Sequence, residues 1–174
     1  MELKERILKR RAVRKYVPGE TMDRDTLLEV LMYASMGPSK GNAHPVEFLL
    51  VEDEEKKRKL AAIKRYGTKY LSDAPQILIV MGNTSVDSTW VEEASIAASY
   101  LGLLLEEEGF GSSWVNIRDQ KTQEGEDAEA AVKKLFNIPP EYGVLALIPF
   151  GKQDERLPKR KPFDASEKLH TDSF

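Results

Sequence analysis

Three arginines lie within five residues near the N-terminus, at Arg10, Arg11 and Arg14. Each guanidinium is permanently charged and presents a planar fork of donors that matches the oxygens of a phosphate or carboxylate. The cluster therefore predicts a phosphate-binding site. A solvated surface cluster is the competing interpretation, and the arginines alone are compatible with both.

A second polar segment extends from residue 38 to residue 45, with the sequence Pro-Ser-Lys-Gly-Asn-Ala-His-Pro. Its prolines and glycine are typical of a loop with an unusual backbone path. The side chains of Ser39, Lys40, Asn42 and His44 can each donate a hydrogen bond. His44 can change charge near neutral pH, or it can be a loop imidazole bonded to neighbouring backbone. We predict that this loop meets the arginine cluster.

Charge and composition exclude several classes of function. The formal net charge is −3, whereas a nucleic-acid-binding protein usually has a broad basic face, so we expect no nucleic-acid partner. Cysteine is absent, which excludes disulfides, thiol catalysis and thiolate metal sites. The two histidines, His44 and His170, lie far apart in sequence, so no metal site is predicted.

The N-terminal residues are charged and amphipathic, unlike a signal peptide. No stretch approaches the roughly 20 apolar residues that span a bilayer, so we expect no membrane association. These features favour a cytoplasmic protein.

Hydrophobic periodicity predicts an alternation of helices and strands. Predicted helices cover residues 2–9, 23–35, 53–64, 89–108 and 128–136; predicted strands cover 46–51, 77–81, 114–117 and 143–150; a polar, basic tail covers 152–174. In the first two helices, Leu3, Ile7 and Leu8, and then Leu27, Leu28, Leu31 and Ser35, recur at helical spacing. The order of elements predicts one α+β domain over residues 1–174, with its sheet between helices.

Nucleotide-binding fingerprints of the Rossmann and P-loop types are absent. Gly109 and Gly111 follow a predicted helix and precede a strand, which is the reverse of the Rossmann order. Gly109 is explained as the residue that ends the helix. Gly111 is compatible with a tight turn and with close approach of the backbone to a ligand.

Four motifs, in order along the chain, resemble those of the nitroreductase family of flavin enzymes. Residues 10–16, Arg-Arg-Ala-Val-Arg-Lys-Tyr, resemble its opening Arg-Arg-Ser-x-Arg followed by an aromatic residue. Residues 37–45 resemble its Ala-Pro-Ser-x-x-Asn-x-Gln-Pro loop, and residues 109–114 are similar to its Gly-x-Gly-Ser/Thr-Cys-Trp turn. Residues 148–151, with the basic segment 158–162, resemble its closing strand and tail.

The resemblance implies a nitroreductase-like fold, in which a mostly antiparallel central sheet is flanked by helices and a C-terminal extension reaches the partner subunit. It also implies a homodimer with two FMN molecules at the subunit interface. Carried over to matching positions, the residues that hold FMN are Arg10, Arg11, Arg14 and Arg160 of one subunit, for the phosphate and the pyrimidine edge; Pro38, Ser39, Lys40 and Asn42 of the other; and Gly111 and Ser112 along the second edge of the flavin.

The implied reaction is hydride transfer from NAD(P)H through FMN to nitroaromatics, quinones or similar flat acceptors, in ping-pong order. Because the flavin carries this chemistry, no catalytic acid, base or nucleophile of the protein is expected. The long helix 89–108, which is rich in small residues, and the tail further favour dimerisation.

The sequence departs from the family motifs at four positions. Ala12 replaces serine and Ser113 replaces cysteine, while His44 and Val46 replace glutamine and tryptophan. A wider and less aromatic substrate pocket, with His44 at its mouth, is expected. These changes leave open an alternative function, a flavin-binding protein without turnover that stores or senses flavin. An anion-binding interaction domain is a third possibility, and it rests on the arginines alone.

Overall fold

The computed structural model describes residues 2–158 and 160–174, and its elements follow the predicted order. The α-helices in this part of the chain are α1 (Leu3–Lys9), α2 (Arg24–Ala34), α3 (Glu54–Ala62), α4 (Trp90–Glu107) and α5 (Ala128–Phe136). The strands are β1 (Val46–Val51), β2 (Gln76–Asn83), β3 (Gly111–Ser112), β4 (Val115–Asn116) and β5 (Tyr142–Gly151). The predicted α+β class is confirmed, although the strand expected over 114–117 is only two residues long.

The strands form one antiparallel sheet in the order β1-β2-β5-β3, and β4 also pairs with β5. The central strands β2 and β5 are almost entirely buried. Their continuous apolar runs are what a strand covered on both faces requires. The predicted antiparallel sheet between helices is therefore confirmed.

Each face of the sheet has its own hydrophobic core. Ile77 and Ile79 of β2 pack with α3 and α5 on one face, whereas Leu78 and Val80 pack with α2 and α4 on the other. This division follows from the two-residue alternation of side chains along a strand. Helix α4 crosses the second face, and residues of this helix line the candidate site described below.

Helix α2 begins at an N-cap, Asp23, whose carboxylate accepts hydrogen bonds from the backbone N–H groups of Asp25 and Thr26. It buries Leu27, Val30 and Ala34 and packs against α4. Leu28, which helical spacing grouped with Leu27, is 53% exposed. One residue advances a helix by about 100°, so Leu28 points away from the stripe that faces α4.

Helix α4 is fixed at its start by an indole packed onto glycines. Gly82 and Gly143 are paired across β2 and β5, and Trp90 packs over both. A Cβ on Gly143 would lie 2.3 Å from Cζ2 of Trp90, and one on Gly82 would lie 3.0 Å from its Cβ. These glycines are needed because the side chain of Trp90 occupies the space above them.

The end of α4 brings the N-terminal arginine segment to the sheet. Gly109 has φ 75°, which confirms its predicted role as the helix-ending residue. The chain then enters β3, where the carbonyl of Ser112 accepts a hydrogen bond of 2.9 Å from the backbone N–H of Val13. Residues 10–14 are therefore held beside β3 and α4.

Several apolar side chains are exposed on the protomer. None of the residues of α1 is buried. Exposed large apolar side chains include Leu3, Ile7 and Leu8 of α1, Leu28, Met32 and Tyr33 of α2, and Phe163, Leu169 and Phe174 of the tail. In the described ranges, 2–158 and 160–174, no helix is long and apolar enough to cross a membrane.

Candidate functional site

Three of the predicted cofactor residues line one cleft of about 320 Å³: Arg10, Ser112 and Arg160. The N-terminal segment, β3 and the tail supply one each. The other lining residues come from α1, α4, the segment after β3, and β5: Ile7, Ala98, Ser99, Gly102, Leu103, Ser113, Trp114 and Ile148. We refer to this as the arginine cleft.

Two arginine side chains, Arg10 and Arg160, line the arginine cleft. Burial, and then the charge of Arg160, lower the pKa of Arg10, and the carboxylate of Glu106 partly opposes them. Arg11 also contributes repulsion. Partly buried like charges favour the binding of an anion, because an anion between them offsets both desolvation and repulsion.

A glycine of α4 makes room for Arg10. A Cβ on Gly102 would lie 3.7 Å from Cδ of Arg10 and 3.8 Å from Oγ of Ser112. Gly102 is one of the small residues of the helix predicted over 89–108, for which the sequence favoured a role in dimerisation. In the structure it forms part of the wall of the arginine cleft. Ser99, three residues earlier on α4, also lines it, and this spacing was the available sequence signal.

Arg11 and Arg14 do not line the arginine cleft. The guanidinium of Arg11 donates to the carbonyl of Pro158 and lines a neighbouring larger cleft of about 850 Å³, together with Arg160, Gly111 and Lys152. The guanidinium of Arg14 lies 5.8 Å from the centre of the Tyr70 ring. The three arginines thus have different surroundings, since each side chain meets a different neighbour in the fold.

Gly111 has a packing explanation. A Cβ at this position would lie 2.5 Å from Cγ2 of Val13. Since Val13 is buried, that contact cannot relax easily. The glycine is therefore required by the docking of the N-terminal segment on β3.

A hydroxyl pair borders the arginine cleft. Ser113 is buried, and its Oγ lies 2.9 Å from the hydroxyl oxygen of Tyr70. Nearby, burial strongly raises the pKa of the Tyr16 hydroxyl, which donates to the carbonyl of Val13 at 2.7 Å. Tyr70 was not predicted as a site residue, because only the fold brings it next to Ser113.

The predicted loop 38–45 lies elsewhere on the protomer. Pro38, Ser39 and His44 line a small groove with Val46 and residues of α2 and α4. The Oγ of Ser39 accepts a 2.8 Å hydrogen bond from the backbone N–H of His44. The ring of His44 lies 3.0 Å from Oδ1 of Asn42. The imidazole of His44 thus has a partner within its own loop, although this partner is the side chain of Asn42 and not the backbone group that one of the two sequence interpretations expected.

Lys40 is tied to the start of α4. Its ammonium lies 3.4 Å from a carboxylate oxygen of Asp87, and its backbone N–H donates to the buried carboxylate of Glu93 at 3.0 Å. The groove beside the loop and the arginine cleft have no lining residue in common. Within one protomer, the two predicted halves of the site are therefore separate.

No group of three or more His, Cys, Asp or Glu side chains is arranged to hold a metal ion in the part of the chain that the structure describes. Lys159, within the basic segment 158–162, lies outside the described residues.

Comparison with known proteins decides the family. The sequence profile of the Nitroreductase family matches residues 7–80 and 64–152, which together cover most of the chain. This chain belongs to the nitroreductase family. The resemblance inferred from the four motifs is thereby confirmed.

Relatives of this nitroreductase-family protein match over nearly its full length. A protein of Methanothermobacter thermautotrophicus, named as a candidate NADH dehydrogenase/NAD(P)H nitroreductase, is 29% identical over 100% of this chain and 88% of its own. The solved structure of an FMN-dependent nitroreductase from Clostridium difficile is 29% identical to this chain and superposes on it with a TM-score of 0.92. The match covers 99% of this chain and 100% of the other. Oxidized iodotyrosine deiodinase bound to FMN and 3-iodo-L-tyrosine is 27% identical, with a TM-score of 0.82 and coverage of 99% and 100%.

Proposed function

We propose that this protein is a homodimeric, FMN-dependent oxidoreductase that uses NAD(P)H to reduce nitroaromatics, quinones or similar flat acceptors by a ping-pong mechanism. The observation that carries the proposal is the arginine cleft, where Arg10 and Arg160 converge beside Ser112. Its occurrence in a nitroreductase-family chain similar to an FMN-dependent enzyme supports FMN as the ligand.

The arginine cleft suits the phosphate end of FMN. Arg10 and Arg160 repel each other, and a phosphate between them would remove that repulsion while accepting charge-assisted hydrogen bonds. Gly102 leaves open space beside Arg10. Arg11 and Arg14 act at the edges of this site, through the Pro158 carbonyl and the Tyr70 ring respectively.

The second half of the site would come from the partner subunit. Pro38, Ser39, Lys40 and Asn42 are separated from the arginine cleft within a protomer, which is expected if the loop serves the partner's cleft. The exposed apolar side chains of α1, α2 and the tail support an extensive dimer interface. An obligate interface of this kind would bury on the order of 2,000 Å² or more. In this arrangement, residues 1–174 form one domain and the tail reaches across.

FMN, when bound, accepts hydride from NAD(P)H and delivers it to the acceptor. The protein holds the cofactor and shapes the pocket in which the acceptor binds. The guanidinium groups of Arg10 and Arg160 anchor the phosphate. Ser112, which lines the arginine cleft with Arg10, would contact the cofactor together with the adjacent Gly111, and the loop with His44 from the other subunit would shape the open substrate face. No side chain needs to transfer a proton to the reacting atoms.

Two measurements test the proposal. Titration of the purified protein with FMN, followed by quenching of flavin fluorescence, is expected to show tight binding. Steady-state oxidation of NADH or NADPH with a quinone is then expected to show turnover. Binding without turnover would favour the alternative, a flavin store or sensor. Absence of FMN binding would refute both.

Reductive deiodination is a second candidate activity. It is supported by the similarity to iodotyrosine deiodinase over nearly the whole of both chains. The test is release of iodide from 3-iodo-L-tyrosine by the reduced FMN-loaded protein, with L-tyrosine formed in equal amount. No iodide release under conditions in which a quinone is reduced would reject this activity alone.

A further inference from the structure

We infer that Glu93 is a positioning residue that holds the loop 38–45 in the conformation that completes the partner's FMN site. The inference rests on the proposed function and adds a residue that neither the motifs nor the arginine cleft identified. Glu93 is only 7% exposed, and its Oε1 accepts a 3.0 Å hydrogen bond from the backbone N–H of Lys40. A buried carboxylate is thus attached to the backbone of the loop.

The loop needs such an attachment because its backbone is strained. Asn42 and His44 have φ values of 59° and 46°, in the left-handed region that a residue with a side chain enters at a cost, and Gly41 between Lys40 and Asn42 has φ 59°. Within the loop, the Ser39 hydroxyl accepts from the His44 N–H, but this bond does not connect the loop to the rest of the fold. The ammonium of Lys40 lies 3.4 Å from Asp87 and is largely exposed, so this ion pair is a weak connection.

Glu93 is not required to cap α4. The carboxylate of Asp87 accepts a 2.7 Å hydrogen bond from the N–H of Thr89, the residue that precedes the helix, and also accepts from its hydroxyl at 2.7 Å. The Thr89 hydroxyl lies farther from Glu93, at 3.2 Å, and has one proton to donate. The Lys40 N–H is therefore the principal partner of Glu93. Glu93 lies in the first turns of α4, a position that favours a carboxylate.

The first experiment compares FMN affinity in variants of Glu93. Glu93→Ala is expected to weaken FMN binding at least about tenfold, because a hydrogen bond to a buried charged acceptor is lost. Glu93→Gln keeps an acceptor oxygen and is expected to stay within about threefold of the unmodified protein. Glu92→Ala, at an exposed neighbouring position on α4, is the matched control. Unchanged affinity in Glu93→Ala, or a loss in Glu93→Gln as large as that in Glu93→Ala, would overturn the inference.

A second variant acts from the other side of the hydrogen bond and leaves the core intact. Lys40→Pro removes the N–H donor at a position where proline is tolerated, since Lys40 begins a short helical turn and Ser39 has ψ 132°. Lys40→Ala removes only the side chain. Weaker FMN binding in Lys40→Pro than in Lys40→Ala is expected, and equal binding would contradict the role of the N–H.

A mixed dimer tests whether the loop acts on the partner. Arg10→Ala and Glu93→Ala subunits carrying different affinity tags are combined, and the heterodimer is isolated. One of its sites then has an intact arginine cleft and an intact loop, whereas the other has neither. Recovery of one high-affinity FMN site per heterodimer is expected. If Glu93 supports the cleft of its own subunit, both sites are damaged and no high-affinity site is recovered. Failure of the unmodified protein to bind FMN would instead refute the proposed function.

Discussion

Substitution of Arg10 should separate ligand affinity from stability. Arg10 is partly buried, and burial and Arg160 lower its pKa, so its charge is unfavourable in the ligand-free fold. With FMN bound, the same charge would face the phosphate. Arg10→Ala is therefore expected to weaken FMN binding while leaving the free energy of unfolding of the ligand-free protein unchanged or slightly higher.

The magnitudes follow from the kind of interaction that is lost. Hydrogen bonds that involve a charged group contribute about 1.5–3 kcal/mol, so the dissociation constant for FMN should rise roughly 10- to 150-fold. Stability without ligand should change by no more than about 0.5 kcal/mol, which is usual for sites outside the apolar core. A large loss of FMN affinity with little change in stability is expected of a residue that is retained for ligand binding and does not stabilise the fold.

The assay is fluorescence quenching of FMN at two salt concentrations, together with urea unfolding of the ligand-free protein. Removal of a phosphate contact should also reduce the dependence of affinity on salt. Arg24→Ala, at the exposed first residue of α2, is the control and should change neither quantity. Equal FMN affinity of the Arg10→Ala and Arg24→Ala variants would refute the role given to the arginine cleft.

Three further predictions concern packing and pH. Gly102→Leu should fill the arginine cleft and abolish FMN retention on a desalting column. In Gly102→Ala, the new Cβ would lie at ordinary contact distances, 3.7 Å from Cδ of Arg10 and 3.8 Å from Oγ of Ser112. This variant should retain FMN and gain about 0.5–1 kcal/mol of stability, because alanine is favoured over glycine inside a helix. Gly143→Ala should lose about 1–3 kcal/mol in urea unfolding, because its Cβ would lie 2.3 Å from the Trp90 ring; no loss would contradict the packing described. Hydrogen bonds from the Thr26 backbone N–H and hydroxyl lower the pKa of Asp23, so its stabilising effect is present above about pH 4 and lost as the pH falls through the lower folded-state pKa. Asp23→Asn keeps the cap without titrating and should show a smaller loss of stability below about pH 4; an identical pH profile would refute this.

Much of the fold could be predicted because its signals are local. The N-cap at Asp23, the helix end at Gly109 and the apolar runs of β2 and β5 are each encoded within a few residues. Leu28 was placed on the wrong face because several apolar residues of α2 satisfy helical spacing. Only the position of α4 selects the stripe that is buried.

The candidate site was predictable in its residue types but not in its geometry. Arg10, Arg11 and Arg14 lie close together in sequence, but their side chains have different surroundings in the fold. Arg10 lines the arginine cleft, Arg11 donates to the carbonyl of Pro158, and Arg14 lies over the ring of Tyr70. The close approach of Val13 to Gly111 depends on the docking of two segments that are distant in sequence. The bond between Glu93 and Lys40 likewise joins residues 53 positions apart, and no local pattern indicates it.

The convergence of Arg10 and Arg160 makes FMN binding the central claim for this nitroreductase-family protein. The most direct test is the visible absorption spectrum of the protein after incubation with excess FMN and gel filtration. A flavin spectrum corresponding to one FMN per subunit, eluting with a dimer, is the predicted result. A colourless protein, or a monomer that carries FMN, would contradict a site shared between two subunits.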